Sequence, residues 1–192
     1  MSLKSSRPYR KSILLLILIG VALAAWRSTK YKVDIADVPY VDTPPEIVEL
    51  MLDLGEVDAK SKVYDLGSGD GRITIAAARR GARSTGVEID EDLVRISRAN
   101  ARKQSVEDRT EFIHTSLFDV NLKDASVVTL FLSPRINREL QPKLLSELRR
   151  GTKVVSHIYD MEGWVPDKVI ESSGRRIFLW TTPVRLKASG RS

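Results

Sequence analysis

Cysteine is absent from this chain of 192 residues, and histidine occurs only at His114 and His157. The absence of cysteine excludes disulfide bonds, zinc sites with thiolate ligands and any chemistry that needs a thiolate nucleophile. Neither histidine lies in a metal-ligand spacing such as H-E-x-x-H. The sequence therefore predicts a protein that holds no metal ion.

Acidic residues are missing from the first 32 positions, where seven basic residues lie. With those seven set aside, 24 basic residues remain against 25 acidic ones, so the net charge of +6 comes from this N-terminal segment. The rest of the chain lacks the basic excess that polyanion binding requires. A nucleic-acid partner is therefore not expected.

An uninterrupted apolar run occupies residues 13–26 and has basic residues on both sides. It is shorter than the roughly 20 residues that span a hydrocarbon core, and it lies within the range of a signal-peptide apolar region. Ala22-Leu23-Ala24 offers a small-residue cleavage pattern, whereas snorkelling of the flanking Lys and Arg side chains lengthens a short span. The run predicts either a membrane anchor or a cleaved signal. We divide the chain into this N-terminal segment (1–32), a single domain (33–187) and a tail (188–192).

A glycine-rich turn follows an apolar segment between Val63 and Arg72, which reads V-Y-D-L-G-S-G-D-G-R. Glycine lets a backbone approach a ligand closely, so such a turn is typical of nucleotide sites. Arg72 takes the position of the third glycine in a dinucleotide fingerprint, so no pyrophosphate site is expected. Glu88 ends the next apolar segment, 21 positions after Gly67, where an acidic side chain can accept hydrogen bonds from both ribose hydroxyls. These residues predict an adenosine site, and a carboxylate at Asp65 suits a cationic ligand better than a phosphate. The alternative, a glycine-rich turn with no ligand, does not account for Glu88.

Strand and helix patterns alternate along the domain, which indicates an α/β fold with a parallel sheet covered by helices on both faces. The spacing predicts strands at 62–66, 84–89, 110–114, 127–132 and 152–157. Helices are predicted from a Thr43 cap to Gly55, over 72–80, from an Asp90 cap to about residue 105, and over 133–148. The last two strands, 168–171 and 176–181, are joined by a loop too short for a crossover helix, so they form an antiparallel hairpin.

Four stretches of the chain resemble one branch of the class I S-adenosylmethionine-dependent methyltransferases. The D-x-G-x-G-x-G turn is similar to the first motif of that class. Between Val38 and about Trp180 the chain is similar to seven-strand protein-lysine methyltransferases, which include archaeal broad-specificity enzymes and mitochondrial enzymes acting on the ATP synthase c-subunit or the adenine nucleotide translocase. The stretches are Val38-Pro39-Tyr40-Val41 with Thr43-Pro44, residues 64–72, residues 127–132, and Val154-Val155-Ser156-His157 followed by Gly163-Trp164.

The resemblance implies a Rossmann-like seven-strand methyltransferase sheet, with a parallel core and a C-terminal antiparallel hairpin, and S-adenosylmethionine as the cofactor. The residues expected to bind the cofactor are Asp65, Gly67, Ser68, Gly69, Asp70, Gly71, Glu88, Ser116 and Leu117. Relatives often have an Asp or Asn that contacts the adenine amine, and this chain has Ser116 at that position. Asp119 is the alternative candidate for the adenine contact. Relatives also tend to have proline where this chain has Asp42.

The acceptor side is predicted after the fourth strand, where the chain reads F-L-S-P and lacks the Asn or Asp that would hold a base amine. An apolar wall suits the aliphatic stem of lysine, and desolvation promotes loss of the lysine proton. The residues expected to line the acceptor channel are Phe131, Ser133, Pro134 and Tyr40, with His157 and Trp164 as further candidates.

The resemblance therefore implies a protein-lysine methyltransferase with a protein substrate, which includes membrane proteins as candidates. Because the cofactor is cytosolic, we expect an uncleaved anchor that holds the catalytic domain at the cytoplasmic face of a membrane, with export after signal cleavage as the alternative. A small amphipathic or lipid-like acceptor and a cofactor-binding membrane scaffold without turnover are the other functions considered.

Overall fold

The computed structural model describes residues 42–187. Its helices are α1 Pro45–Leu54, α2 Arg72–Arg79, α3 Glu91–Lys103 and α4 Pro134–Glu147. Its strands are β1 Lys62–Leu66, β2 Arg83–Glu88, β3 Thr110–His114, β4 Val127–Leu130, β5 Lys153–His157, β6 Trp164–Val165, β7 Lys168–Ser172, β8 Arg175–Thr181 and β9 Arg185–Leu186. The predicted N-terminal segment, Tyr40 and the tail lie outside the described residues.

Seven strands form one sheet in the order β3-β2-β1-β4-β5-β8-β7. The first five pair in parallel, whereas β8 is antiparallel to both β5 and β7. This confirms the predicted α/β sheet with a parallel core and a C-terminal antiparallel hairpin. Strand β4 ends at Leu130, two residues before its predicted end. The short pair β6–β9 has too little periodicity to be recognised in the sequence.

The core lies between α1, α2 and one face of the sheet. Val63 of β1 pairs with Val127 of β4, so both side chains point to the same face. They join one buried cluster with Ile47 and Met51 of α1 and Ile73 of α2. All four residues of β4 are buried, as expected for a central parallel strand covered on both faces.

The start of α1 differs from the prediction. Pro44, not Thr43, is the residue that precedes the first helical turn, and no side chain caps it. Two consecutive prolines set the backbone for a helix that begins at Pro45, because proline fits the first position of a helix. Thr43 is instead buried, and its Oγ1 lies 3.4 Å from Nδ1 of His157. The predicted cap of α3 is confirmed, since Asp90 accepts hydrogen bonds from the N–H groups of Asp92 and Leu93.

Between residues 42 and 187, none of the helices has both the length and the apolar character that crossing a bilayer demands. The apolar run at 13–26, on which the anchor prediction depends, was not part of that range. The anchor therefore stays a prediction.

Candidate functional site

The candidate site lies where the strand order changes direction, at the carboxyl ends of β1 and β4. The chain runs outward from β1 to β3 on one side and from β4 onward on the other, so the loops after β1 and β4 leave a crevice between them. The turn after β1 holds Gly67, Gly69 and Gly71, whose φ angles are 80°, 56° and 84°. A Cβ atom on Gly67 would lie 2.9 Å from Cδ2 of Leu132, just after β4. Glycine is favoured there mainly because a φ of 80° is left-handed, and the close Leu132 side chain adds to that preference.

Glu88, at the end of β2, is held against this turn by backbone donors. Its Oε2 accepts a hydrogen bond from the Gly69 N–H at 2.9 Å, and its Oε1 accepts from Ile89 and Asp90 at 2.8 and 3.1 Å. A carboxylate offers about four acceptor positions, so roughly one remains, on Oε2. Glu88 is therefore held in place with an acceptor position open on Oε2, and its predicted contact with both ribose hydroxyls stays a prediction.

Asp65 lies beneath the turn and is buried. Its two carboxylate oxygens accept hydrogen bonds from the hydroxyls of Thr129, at 2.7 Å, and Thr74, at 3.2 Å. Burial raises the pKa of Asp65 to about 6, against the lowering effect of the two hydroxyls, and the charges of Glu88 and Asp70 raise it further. A cation above the turn would interact with this carboxylate through its field, because Asp65 has almost no exposed surface.

Asp70 is paired with Arg72 across the start of α2. Its carboxylate accepts hydrogen bonds from Arg72 Nε at 2.9 Å and from Arg72 Nη2 at 2.7 Å. Arg72 also donates to the Thr43 carbonyl at 3.0 Å and pairs with Asp42 at 3.0 Å. Arg72 thus ties the glycine-rich turn to the residues before α1, a connection that sequence reasoning missed. Its only sequence signal is an arginine two positions after an aspartate, where a dinucleotide site has glycine.

Ser116 and Leu117 follow β3, which places them beside Glu88. The Thr115 N–H donates to the Glu88 carbonyl at 3.0 Å, and the Ser116 hydroxyl accepts from the Phe118 N–H at 3.3 Å. Both Ser116 and Leu117 are half-buried, and Asp119 is exposed. This position is compatible with the predicted adenine contact, which stays a prediction.

The predicted acceptor residues after β4 have distinct surroundings. The Phe131 ring is half-buried and lies 4.3 Å, centroid to centroid, from the His157 ring. The Ser133 hydroxyl accepts from the Ile136 N–H and caps α4, while Pro134 opens that helix and is exposed. Trp164 is buried in the core, with its ring edge-on to Trp180 at 6.2 Å. The structure therefore brings Phe131 and His157 together and sets Trp164 apart in the core.

His157, the last residue of β5, is buried. Burial lowers the pKa of its imidazole to about 4, and the Arg175 guanidinium lowers it further. The Nδ1 atom of His157 is in contact with the Thr43 hydroxyl. The Nε2 atom has no hydrogen-bond partner within the described part of the chain.

These residues fit an adenosine derivative with a positive charge. The glycine-rich turn offers a close backbone surface, Glu88 keeps one acceptor position, and Ser68 has a buried Oγ without a partner among residues 42–187. Three carboxylates surround the turn, which disfavours a phosphate and favours a cation. Across the same residues, no group of three or more His, Cys, Asp or Glu side chains is arranged to hold a metal ion.

Comparison with known proteins gives consistent matches. A family model described as the ANTKMT methyltransferase domain matches residues 65–168. A protein-lysine N-methyltransferase of Saccharolobus islandicus (strain REY15A) is 43% identical over 136 residues, which cover 70% of this chain and 84% of that protein. An ATP synthase c-subunit lysine N-methyltransferase of Xenopus laevis is 36% identical over 107 residues, which cover 56% of this chain and 47% of that protein.

A solved structure is also similar to this chain over almost all of the solved chain's length. The crystal structure of an RNA methyltransferase from Salinibacter ruber, in complex with S-adenosyl-L-homocysteine, has a TM-score of 0.75 and 46% identity, and covers 78% of this chain and 98% of that chain. The chain spans about half the length of the Xenopus relative but most of the archaeal and Salinibacter proteins.

Proposed function

Because the chain belongs to the ANTKMT methyltransferase domain family, we propose that it transfers a methyl group to the side-chain amine of lysine in a protein substrate. The chain is an S-adenosylmethionine-dependent methyltransferase, as its family and the cofactor product in a relative of 46% identity establish. What is proposed here is the acceptor.

The chain's own residues bind and orient rather than carry out acid–base chemistry. The cofactor supplies, when bound, a methyl group on a positively charged sulfur that is already a good leaving group. Glu88 offers Oε2 to a ribose hydroxyl, and the turn from Gly67 to Gly71 allows close backbone approach. Asp65 adds negative potential below the turn. Alignment of the reacting groups is the main contribution expected of such a site.

The observation that carries the lysine proposal is the wall formed by Phe131 and His157. The Phe131 ring is half-buried and lies 4.3 Å from the buried His157 ring, so Phe131 offers an aromatic surface to an acceptor with His157 packed behind it. The Ser133 hydroxyl is engaged as the cap of α4. The loop after β4 has no Asn or Asp that would hold the amine of a nucleic-acid base. The aliphatic stem of lysine packs well on aromatic rings, and a dry surface favours the uncharged amine.

The Salinibacter relative is described as an RNA methyltransferase, so RNA is the competing acceptor. The charge of residues 33–192 weighs against it, because 24 basic residues face 25 acidic ones there. Affinity for nucleic acid depends mainly on basic side chains at phosphates.

We also propose that residues 1–32 tether the catalytic domain to the cytoplasmic face of a membrane. The support is sequence alone: an apolar run at 13–26 between basic residues, and a cofactor that is made in the cytosol. A membrane protein is accordingly the first substrate class to test.

The test uses the full chain, S-adenosylmethionine labelled in its methyl group, and a membrane extract as acceptor. We expect label in protein, and methyllysine after acid hydrolysis of that protein. The control is Glu88→Ala, which removes the acceptor on Oε2 and is expected to weaken cofactor affinity by about tenfold or more. The matched control for Glu88→Ala is Glu91→Ala. Glu91 is an exposed acid three residues further on, so this variant is expected to keep the cofactor affinity of the wild type.

Three results would overturn the lysine proposal. Label that is removed by ribonuclease assigns RNA as the acceptor, and label that moves into the organic phase assigns a lipid-like acceptor. Binding of S-adenosyl-L-homocysteine by calorimetry, with no labelled product from any extract, assigns a scaffold without turnover.

A further inference from the structure

His157 is a buried polar side chain whose ring nitrogens have no role yet in the proposed reaction. Its side chain is only 1% exposed, and its Nε2 lacks a hydrogen-bond partner within residues 42–187. A buried polar atom without a partner is costly, and such atoms in native proteins call for an explanation. A ligand that supplies the missing partner is one such explanation.

The register of the sheet places His157 on the same face as the cofactor residues. Asp65 pairs with Thr129, and Thr129 pairs with Val155, so these three side chains share one face. Side chains two positions along a strand share a face, and His157 lies two positions beyond Val155. Phe131 lies two positions beyond Thr129, and its ring contact with His157 agrees with this placement.

The same register sets the distance from the ribose end of the site. Glu88 ends β2. The residues just after β1 and β4, Gly67 and Phe131, continue the same level across the sheet to His157, which ends β5 three strands away. At about 4.8 Å per strand, this corresponds to roughly 14 Å. His157 therefore lies across the glycine-rich turn from Glu88, at the same edge of the sheet as the loops after β1 and β4.

We propose that Nε2 of His157 accepts a hydrogen bond from the amine that receives the methyl group. This inference rests on the proposed function and deepens it. The Thr43 hydroxyl lies 3.4 Å from Nδ1. In the tautomer that this proposal requires, the hydroxyl accepts a hydrogen bond from Nδ1–H, which leaves the lone pair of Nε2 free. The half-buried Phe131 ring borders His157 and provides the apolar surface along which the amine approaches.

The role is positioning by direct contact, without net proton uptake. An amine must be uncharged to accept a methyl group on its nitrogen lone pair, so its extra proton leaves to water first. A remaining N–H then points at Nε2, which turns the nitrogen lone pair away from His157. Because burial and Arg175 lower its pKa, the imidazole stays an uncharged acceptor throughout.

Nitrogen NMR of the two histidine rings tests this directly, with n-butylamine as the probe because its four-carbon chain copies the lysine stem. The full chain is saturated with S-adenosyl-L-homocysteine, so no turnover occurs. We expect His157 to carry its proton on Nδ1, and n-butylamine to shift its Nε2 signal. His114 is the internal control, since it is exposed and its Nε2 lies 2.9 Å from the Ile89 carbonyl, so its signals are expected to stay in place.

A proton on Nε2, or an Nε2 signal that n-butylamine leaves unmoved, overturns the proposal. The wild-type spectrum is sufficient for this, so the test holds even if a variant fails to fold. It is also independent of the methylation assay: a shifted Nε2 signal without methyllysine in protein would contradict the proposed function and support an amine acceptor of another kind.

Two variants separate contact with the amine from a structural role. His157→Gln keeps an acceptor near the position of Nε2, whereas His157→Asn keeps a polar atom only near Nδ1. We expect His157→Gln to bind n-butylamine within about threefold of the wild type and His157→Asn to lose about tenfold, with the same affinity for S-adenosyl-L-homocysteine in all three proteins. Equal loss of amine binding in both variants, or loss of cofactor-product affinity, assigns His157 a structural or cofactor role instead.

Discussion

Three carboxylates surround the glycine-rich turn, and each has a different environment. Asp65 is buried and receives two hydroxyl hydrogen bonds, and Asp70 is paired with Arg72. Glu88 accepts three backbone N–H groups and keeps roughly one acceptor position on Oε2. Among these three carboxylates we therefore expect Glu88 to make the direct contact with the cofactor, and Asp65 to act from below the turn.

Asp65 predicts how stability depends on pH. Its pKa is raised to about 6 in the folded protein, from an ordinary value of 3.8. The folded state therefore holds this proton more tightly than the unfolded state, so the contribution of Asp65 to the free energy of unfolding is fully present below pH 3.8 and is lost as pH rises through 6. The contribution amounts to about 2–3 kcal/mol. In Asp65→Asn we expect the curve of unfolding free energy against pH to be flatter by that amount between about pH 4 and 7, measured by urea unfolding.

Asp119→Asn is the matched control, since Asp119 is exposed, and its curve is expected to follow that of the wild type. Parallel curves for the wild type and Asp65→Asn would show that Asp65 ionises normally in the folded protein.

Among the helices and strands, the N-caps of α3 and α4 stabilise their helices and also lie next to candidate site residues. Asp90 caps α3 two residues after Glu88, and Ser133 caps α4 two residues after Phe131. Each cap therefore lies within three residues of the end of a strand, since Glu88 ends β2 and Leu130 ends β4. The same short segment therefore ends a strand, positions a site residue and begins a helix.

Ser133 was predicted from the sequence to line the acceptor channel, and its hydrogen bond points to a capping role. We expect Ser133→Ala to lower the free energy of unfolding by about 1 kcal/mol, because an N-cap hydroxyl satisfies an otherwise free N–H group. Ser133→Asp is expected to restore stability, since aspartate caps helices equally well. Thermal unfolding and methyl-transfer rates measured on both variants check this. A loss of rate at unchanged stability would support the predicted place of Ser133 in the acceptor channel.

Gly71 sets the geometry of the crossover from β1 to α2. Its φ of 84° is left-handed, and a Cβ atom there would lie 2.7 Å from the Phe112 ring and 2.8 Å from Cβ of Ser97. We expect Gly71→Ala to cost about 3 kcal/mol, from the backbone conformation and from overpacking together. Gly151→Ala is the matched control: its φ of 89° is similar, but nothing lies within 4 Å of the added Cβ atom.

The control is expected to cost about 1–2 kcal/mol, from the backbone conformation alone. Chemical denaturation of both variants measures the difference. Equal costs would show that the space around Gly71 adjusts to a methyl group.

At the scale of the whole molecule, charge is distributed unevenly along the chain. The first 32 residues hold seven basic residues and no acidic ones, and they precede a domain whose charges nearly cancel. The tether proposed for this segment therefore has two components, an apolar run and a basic flank.

We expect the full chain to sediment with lipid vesicles and a chain lacking residues 1–32 to stay in the supernatant. The apolar run supplies the attachment, so a wash at about 1 M salt, which screens charges beyond about 3 Å, is expected to leave the full chain bound. Release by salt would assign the attachment to the basic residues alone, and sedimentation of the shortened chain would contradict the tether.

The sequence predicted most elements because their signals are local. Strands β1 and β3 were placed to the residue, since apolar segments bounded by turn residues mark buried strands. The Asp90 cap and the glycine-rich turn also depend only on neighbouring positions. The Thr43 cap was wrong, because a buried contact with His157 competes for the same hydroxyl.

By itself, therefore, the sequence determined the alternation of strands and helices, the glycine-rich turn and the acidic residue that follows it at the end of β2. Only the tertiary structure decided that Arg72 ties this turn to Thr43, and that Phe131 and His157 form one wall. Thr43 and His157 are 114 positions apart in the chain, and a hydrogen bond over that separation leaves no periodic or local pattern. It exists because the order of the strands brings the end of β5 to the start of α1.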